Sequence, residues 1–235
     1  MKKAGRLFVF ALSGLFIFFS SCNKESTQFE ITVVDENETP VSMVTVTLYE
    51  TISDWNEESN SLKTSLTNNN GIVTFTSLSP LKYYYDIVKD SLNNWETSNT
   101  LENMLTENSL NRTTITINEN CSWYLSSAAG KKWQIFKITQ NNTDYTDSTQ
   151  YEDELQNIYT YYKSTKFEMG ITGSDTIFNE AMWKMDYMID SLINITYFSG
   201  GSPSKIKIDS LSSIYMKTHN LDSDIYFEYT TINKK

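Results

Sequence analysis

Residues 29–50 read FEITVVDENETPVSMVTVTLYE, and the spacing of their apolar side chains decides the fold class. The stretch reads as a strand, an acidic turn carrying Pro40, and a second strand whose inward face is Val44, Val46 and Leu48 or, in the other register, their neighbours. A repeat of two is the signature of a pleated strand, because successive side chains point to opposite faces. The pattern continues in TNNNGIVTFTSLSPLKYYYDIVK at 67–89, with a turn centred on Gly71, a strand through Val73 and Phe75, a turn at Pro80 and an aromatic strand. RTTITIN at 112–118 closes the series, with Ile115 and Ile117 on one side. Short strands joined by tight turns predict a β-sandwich.

These residues carry a family resemblance. VVDENETPVSMVTVTLYE followed by TNNNGIVTFTSLSPLKYYYDI resembles the carboxypeptidase-regulatory-like, transthyretin-like domain over residues 29–89, with Asn37 and Glu38 where that family has glycine. The resemblance implies a small Ig-like sandwich serving as a stalk, spacer or docking module. Residues 90–111 fit the pattern less well and are expected to form a loop or short helix inserted before the last strand.

A second domain is expected from Cys121 onward, after a junction formed by residues 118–122 and the small-residue run SSAAG at 126–130. The boundaries are 27–119 for the sandwich and 121–235 for the second domain. DSTQYEDELQ at 147–156 has a capping Asp147 or Ser148 and acidic residues suited to a first helical turn. Eight further segments read as strands: KKWQIFKITQ, NIYTYYKS, TKFEMG, TIFNEAMWKMDYMI, SLINITYFSG, SKIKIDSL, SIYMKTHN and DIYFEYTTI. In KKWQIFKI the apolar phase changes between Ile135 and Phe136, which a bulge or a two-sided strand explains. The fold class is therefore all-β.

Gly130 to Trp133, the acidic turn at Glu152 to Leu155, KFEMG ending at Gly170, the Trp183 strand and KIDSLSSIYMK resemble the lipocalin-like domains of small bacterial lipoproteins. The opening here is Gly-x-x-Trp, one residue longer than the Gly-x-Trp of true lipocalins. The resemblance implies a small antiparallel β-barrel, either filled by its own side chains or holding a small apolar molecule. Candidate pocket residues are Trp133, Ile135 and Trp183. The domain is shorter than a typical lipocalin and rich in bulky side chains, so a small or partly filled cavity is expected.

The amino-terminal RLFVFALSGLFIFFSSCNKEST sets the location. Lys2, Lys3 and Arg6 precede an apolar run from Leu7 to Phe19, shorter than the ~20 residues a bilayer core demands but matching a signal-peptide core. Phe19-Ser20-Ser21-Cys22 resembles the bacterial lipoprotein box, with Phe for the usual Leu and Ser for the usual Gly or Ala. That resemblance implies removal of residues 1–21, acylation of Cys22 and a short tether at 22–26. At ~0.8 kcal/mol per buried methylene, several acyl chains hold a protein on a membrane almost permanently. The expected location is the cell envelope, on the outer membrane, with periplasmic and outward orientations both open.

Charge and composition exclude several functions. The chain carries 19 basic and 29 acidic residues, and losing Lys2, Lys3 and Arg6 leaves 16 basic residues and a formal net of −13. Nucleic acid is therefore not an expected partner, since phosphates would be repelled. With Cys22 acylated, Cys121 has no disulfide partner within the chain and is either a buried inert thiol or a reactive one. The single histidine, His219, reads as a surface-turn residue in KTHNLD, which leaves serine or cysteine hydrolysis without a dedicated base. DENET at 35–39 and NNN at 68–70 lack calcium-loop order and read as solvated turns. Tyr83 to Tyr85 and the pair Tyr161, Tyr162 suit either sugar stacking or cover for a sheet face. Four Asp-Ser/Thr-apolar triplets, at 90–92, 175–177, 190–192 and 209–211, resemble a bacterial O-glycosylation signal.

No catalytic, metal-binding or cofactor motif is present, so no enzyme activity, metal or cofactor is expected. The sequence reads as a membrane-anchored binding lipoprotein whose first domain is a spacer and whose second is the ligand or partner module. Its partners are then membrane lipid through Cys22 and a small apolar ligand, an envelope or surface protein, or a glycan. The alternative is a structural or adhesive surface lipoprotein with a solid barrel.

Overall fold

A computed structural model describes residues 26–186, 191–198, 200, 203–221 and 224–232. The expected signal segment and the expected anchor Cys22 lie outside the described residues. Among the described residues no helix is long and apolar enough to cross a membrane.

The amino-terminal half packs two sheets face to face. β1 (Gln28–Val34) pairs with β4 (Ile72–Phe75) on one side and with β7 (Leu110–Thr116) on the other. The second sheet runs β3 (Lys63–Leu66), β2 (Thr45–Tyr49), β5 (Tyr84–Lys89), β6 (Leu92–Asn93) and β8 (Asn118–Glu119). Alternation decides what is buried. Phe29, Ile31 and Val33 from the first sheet meet Val46, Leu48, Tyr85 and Ile87 from the second, all 1% exposed or less. Each such side chain contributes about 1.5–3 kcal/mol on leaving water, so the period-two pattern by itself explains why the sheets close on each other.

The turns follow local chemistry. Asp35 Oδ1 accepts from the backbone N–H groups of Asn37 and Thr39, and Asn68 Oδ1 accepts from those of Asn70 and Ile72. These are the solvated turns expected at DENET and NNN. Gly71 sits at φ +70°, and a Cβ there would lie 2.5 Å from the Val33 carbonyl oxygen, so only glycine lets the turn approach β1 this closely. Tyr83 and Tyr85 are buried, covering a sheet face as one of the two sequence readings has it. A short helix, α1 (Ile52–Glu57), was not expected; Thr51 caps it by accepting from the Asp54 N–H. Residues 90–111 hold β6 and otherwise run as turns and loop, with Asn94 bonded to the β5 backbone.

After α2 (Cys121–Leu125) the chain builds a closed barrel. Its eight strands are β9 (Lys131–Gln140), β11 (Asn157–Tyr161), β12 (Lys166–Ile171), β13 (Ile177–Asp186), β14 (Leu192–Tyr197), β15 (Ser204–Leu211), β16 (Tyr215–Asn220) and β17 (Ile225–Thr231). Neighbours pair antiparallel in chain order, and β17 returns to pair with β9, which removes both sheet edges. The excursion between β9 and β11 holds the ribbon strand β10 (Thr143–Asp144), a 3₁₀ turn at Thr149–Tyr151 capped by Ser148, and α3 (Glu152–Gln156). The phase change expected at Ile135 and Phe136 is a bulge: Tyr229 pairs with Ile135 and Glu228 with Lys137. Phe136 is the extra residue and is 45% exposed, while Ile138 turns inward beyond it. Gly130 enters the first strand at φ +83°, where a Cβ would meet the Tyr162 ring at 2.6 Å.

His219 is not a turn residue. It lies on β16, with Nδ1 2.8 and 2.9 Å from the two carboxylate oxygens of Asp209 on the neighbouring strand. KTHN continues the period-two alternation of its strand, and that outweighed the turn-like Asn-Leu-Asp after it.

Candidate functional site

The register of the strands gives the barrel two unlike ends. One end carries the β11–β12 turn and the start of β9, and it faces the sandwich. Bulky inward side chains fill that half: Trp133, Tyr161, Phe167, Trp183, Ile193 and Met216 are all buried. Trp133 is fully buried, and its Nε1 donates to the Leu125 carbonyl of α2 at 2.8 Å. The helix therefore closes the barrel from below.

The other half is open. A cavity of about 440 Å³ is walled by Ile135, Tyr159, Met169, Ile206, Phe227 and Tyr229, within the size range of small-molecule sites. Tyr197 and Thr218 also face it, and Ser204, Lys205 and Asn220 stand at the mouth. The cavity opens at the end opposite the sandwich, where β14 gives way to β15 and β16 to β17. Burial pushes the Tyr159 phenol up to about 12 and the Tyr161 and Tyr229 phenols higher still, with neighbouring phenols adding to each. All three hydroxyls stay protonated at neutral pH, and those of Tyr159 and Tyr229, which line the cavity, offer donors inside an apolar wall, the usual make-up of a site that orients a largely apolar ligand.

Of the three candidate pocket residues, Ile135 lines this cavity. Trp133 lies below it as part of the filled half. Trp183 donates from Nε1 to the Tyr162 carbonyl at 3.0 Å and lines a separate cleft of about 290 Å³ between barrel and sandwich. Sequence reasoning singled out the tryptophans as inward positions on the strands that carry the lipocalin-like resemblance, but large side chains fill a narrow barrel end more readily than they line a space. The wall residues Tyr159, Met169 and Ile206 stand out only once strand register is known.

The domain junction holds a second cluster. Lys163, in the β11–β12 turn, reaches the sandwich with a side chain 1% exposed and Nζ 2.5 Å from Asp86 Oδ2 on β5. Glu58 Oε1 lies 3.4 Å away, and the Trp55 and Trp95 ring centroids lie 4.2 and 4.8 Å from Nζ. Nearby, Glu96 Oε1 accepts from both the N–H and the hydroxyl of Ser122 on α2, and Trp95 meets Trp123 edge-on at 5.0 Å. Cys121, also on α2, is half-buried. Among the described residues no group of histidine, cysteine and acidic side chains is placed to hold a metal.

No protein-family model matches the chain, and no curated protein matches it. Solved structures with some similarity to the chain include a lipocalin-like protein from Bacteroides uniformis, 13% identical with a TM-score of 0.34, matched over 46% of this chain and 99% of that one. A streptococcal ancillary pilin is 12% identical at a TM-score of 0.34, over 91% of this chain and 60% of the pilin. 3-Chlorocatechol 1,2-dioxygenase from Rhodococcus opacus is 10% identical at 0.26, over 41% of this chain and 60% of the enzyme. At these scores the likenesses assign no function.

Proposed function

We propose that the chain is a non-enzymatic binding lipoprotein of the cell envelope, held on the membrane by acyl chains on Cys22, with the sandwich as spacer and the barrel as ligand module. The observation that carries this reading is the half-open barrel: a cavity of about 440 Å³ with an apolar, aromatic wall and a polar mouth. Such a space suits a small molecule with an apolar body and a polar or anionic head, the body against Ile135, Ile206 and Phe227 and the head near Lys205. Titrating the full chain with medium-chain fatty acids and an apolar fluorescent probe, while following tryptophan emission, tests the proposal. Saturable binding with competition between the two supports it.

A second reading, a structural or adhesive surface lipoprotein, draws on a different observation. Ile171, Ile177 and Phe178 are 40–49% exposed together at the rim of the barrel. A contact made there needs no cavity, so it would survive a substitution that fills the lumen.

A further inference from the structure

Lys163 and Asp86 place an amine and a carboxyl group in contact where water is scarce. Their side chains are 1% and 10% exposed. A buried ion pair recovers the cost of its desolvation only with excellent geometry, and proton transfer within the pair removes both charges. Burial raises the Asp86 carboxyl above its ordinary value, opposed by Lys163, which is the direction that favours the neutral acid. The neutral partners are the reactants of amide condensation.

We propose that Lys163 and Asp86 condense after folding into an amide that covalently joins the barrel to the sandwich. The Lys163 Nζ lone pair attacks Asp86 Cγ, and the bond from Cγ to the protonated carboxyl oxygen breaks. That hydroxyl takes one proton originating on Nζ and leaves as water. One amine hydrogen and one hydroxyl are lost, one C–N bond replaces one C–O bond, and no oxidant or cofactor is consumed.

The surroundings supply what this step needs. Groups held in contact react with effective molarities of ~10⁵–10⁸ M, which offsets the poor equilibrium of free amine and acid in water. Trp55 and Trp95 wall the pair. Glu58 touches Nζ and is itself 46% exposed, so it links the reacting nitrogen to solvent as a proton carrier. Tyr49, one strand away on β2, has its phenol raised by burial and by the charge of Asp86. Its hydroxyl therefore stays protonated at neutral pH. The product is a neutral amide that no longer carries the desolvation cost of two ions.

Peptide mapping of the full chain, isolated from membranes, denatured and digested with trypsin, decides the matter. The cross-link predicts a branched peptide joining residues 83–89 to residues 138–166, lighter than its two parts by one water, with no cleavage after Lys163. Asp86→Ala should remove the branch and restore cleavage after Lys163. Recovery of 83–89 and 138–163 from the unaltered chain as separate, unmodified peptides would overturn the proposal. Persistence of the branch in Asp86→Ala would overturn it equally. The mapping of the unaltered chain needs no variant, so a poorly folding Asp86→Ala protein does not blunt the test.

Discussion

Trp133 Nε1 donates to the Leu125 carbonyl at 2.8 Å, which ties the first barrel strand to the helix leading out of the sandwich. The bond joins the two halves of the chain at the filled end of the barrel, away from the cavity. Removing the donor while keeping an aromatic ring orphans a buried carbonyl, at a cost of about 1–3 kcal/mol. Trp133→Phe should lower the urea midpoint accordingly and leave ligand affinity unchanged. Affinity lost with stability intact would place Trp133 in the ligand site instead.

A Cβ on Gly130 would lie 2.6–2.7 Å from the Thr160 and Tyr162 side chains, at a backbone φ of +83°. Gly130→Ala should destabilise the protein by about 1–3 kcal/mol, the range for a strained backbone position. A thermal melt within experimental error of the parent would show that the entry to β9 relaxes freely.

The phenols of the lumen set a limit at high pH. Tyr159 is raised from 10.0 to about 12 in the folded protein, and Tyr161 and Tyr229 lie higher. A raised folded pKa favours the fold below the unfolded value and withdraws that support as pH climbs toward the folded one. The phenols' contribution to stability should therefore be constant up to pH 10 and fall between 10 and about 12. Ultraviolet titration should show these phenols ionising only as the protein unfolds. Smooth ionisation of every tyrosine near 10 with the fold intact would contradict the buried cluster.

The strands were legible because burial on one face writes itself into sequence at period two, as with Val44, Val46 and Leu48 and with Ile206 and Ile208. Even the Phe136 bulge was visible, since an extra residue inverts the apolar phase. Helix α1 was legible in principle, from Thr51 followed three residues later by Asp54, but the six-residue element is too short to show a helical period. The parallel pairing of β1 with β7 left no local trace. Lys163 and Asp86 are 77 positions apart, and nothing near either residue announces the other, because their meeting depends on how two domains dock. The cavity wall was hidden for a related reason: Tyr159, Met169 and Ile206 become neighbours only when the barrel closes.

Membrane attachment through Cys22 is tested by substitution. Cys22→Ala should abolish palmitate labelling and shift the protein from the membrane pellet to the soluble fraction, or leave it as an uncleaved precursor. Continued labelling and pelleting would refute acylation at this residue.

The central claim, that the barrel binds a small molecule in its open half, is tested most directly by filling that half. Ile206 is partly buried on β15 and lines the cavity beneath its mouth. Ile206→Trp adds an indole to a space of about 440 Å³, with an overpacking cost of about 1–3 kcal/mol. The account predicts saturable binding of a medium-chain fatty acid to the unaltered chain, and affinity at least tenfold weaker in Ile206→Trp while circular dichroism and the thermal melt still report a folded protein. Equal affinity in the two proteins, or no saturable binding to a folded unaltered chain, would contradict it.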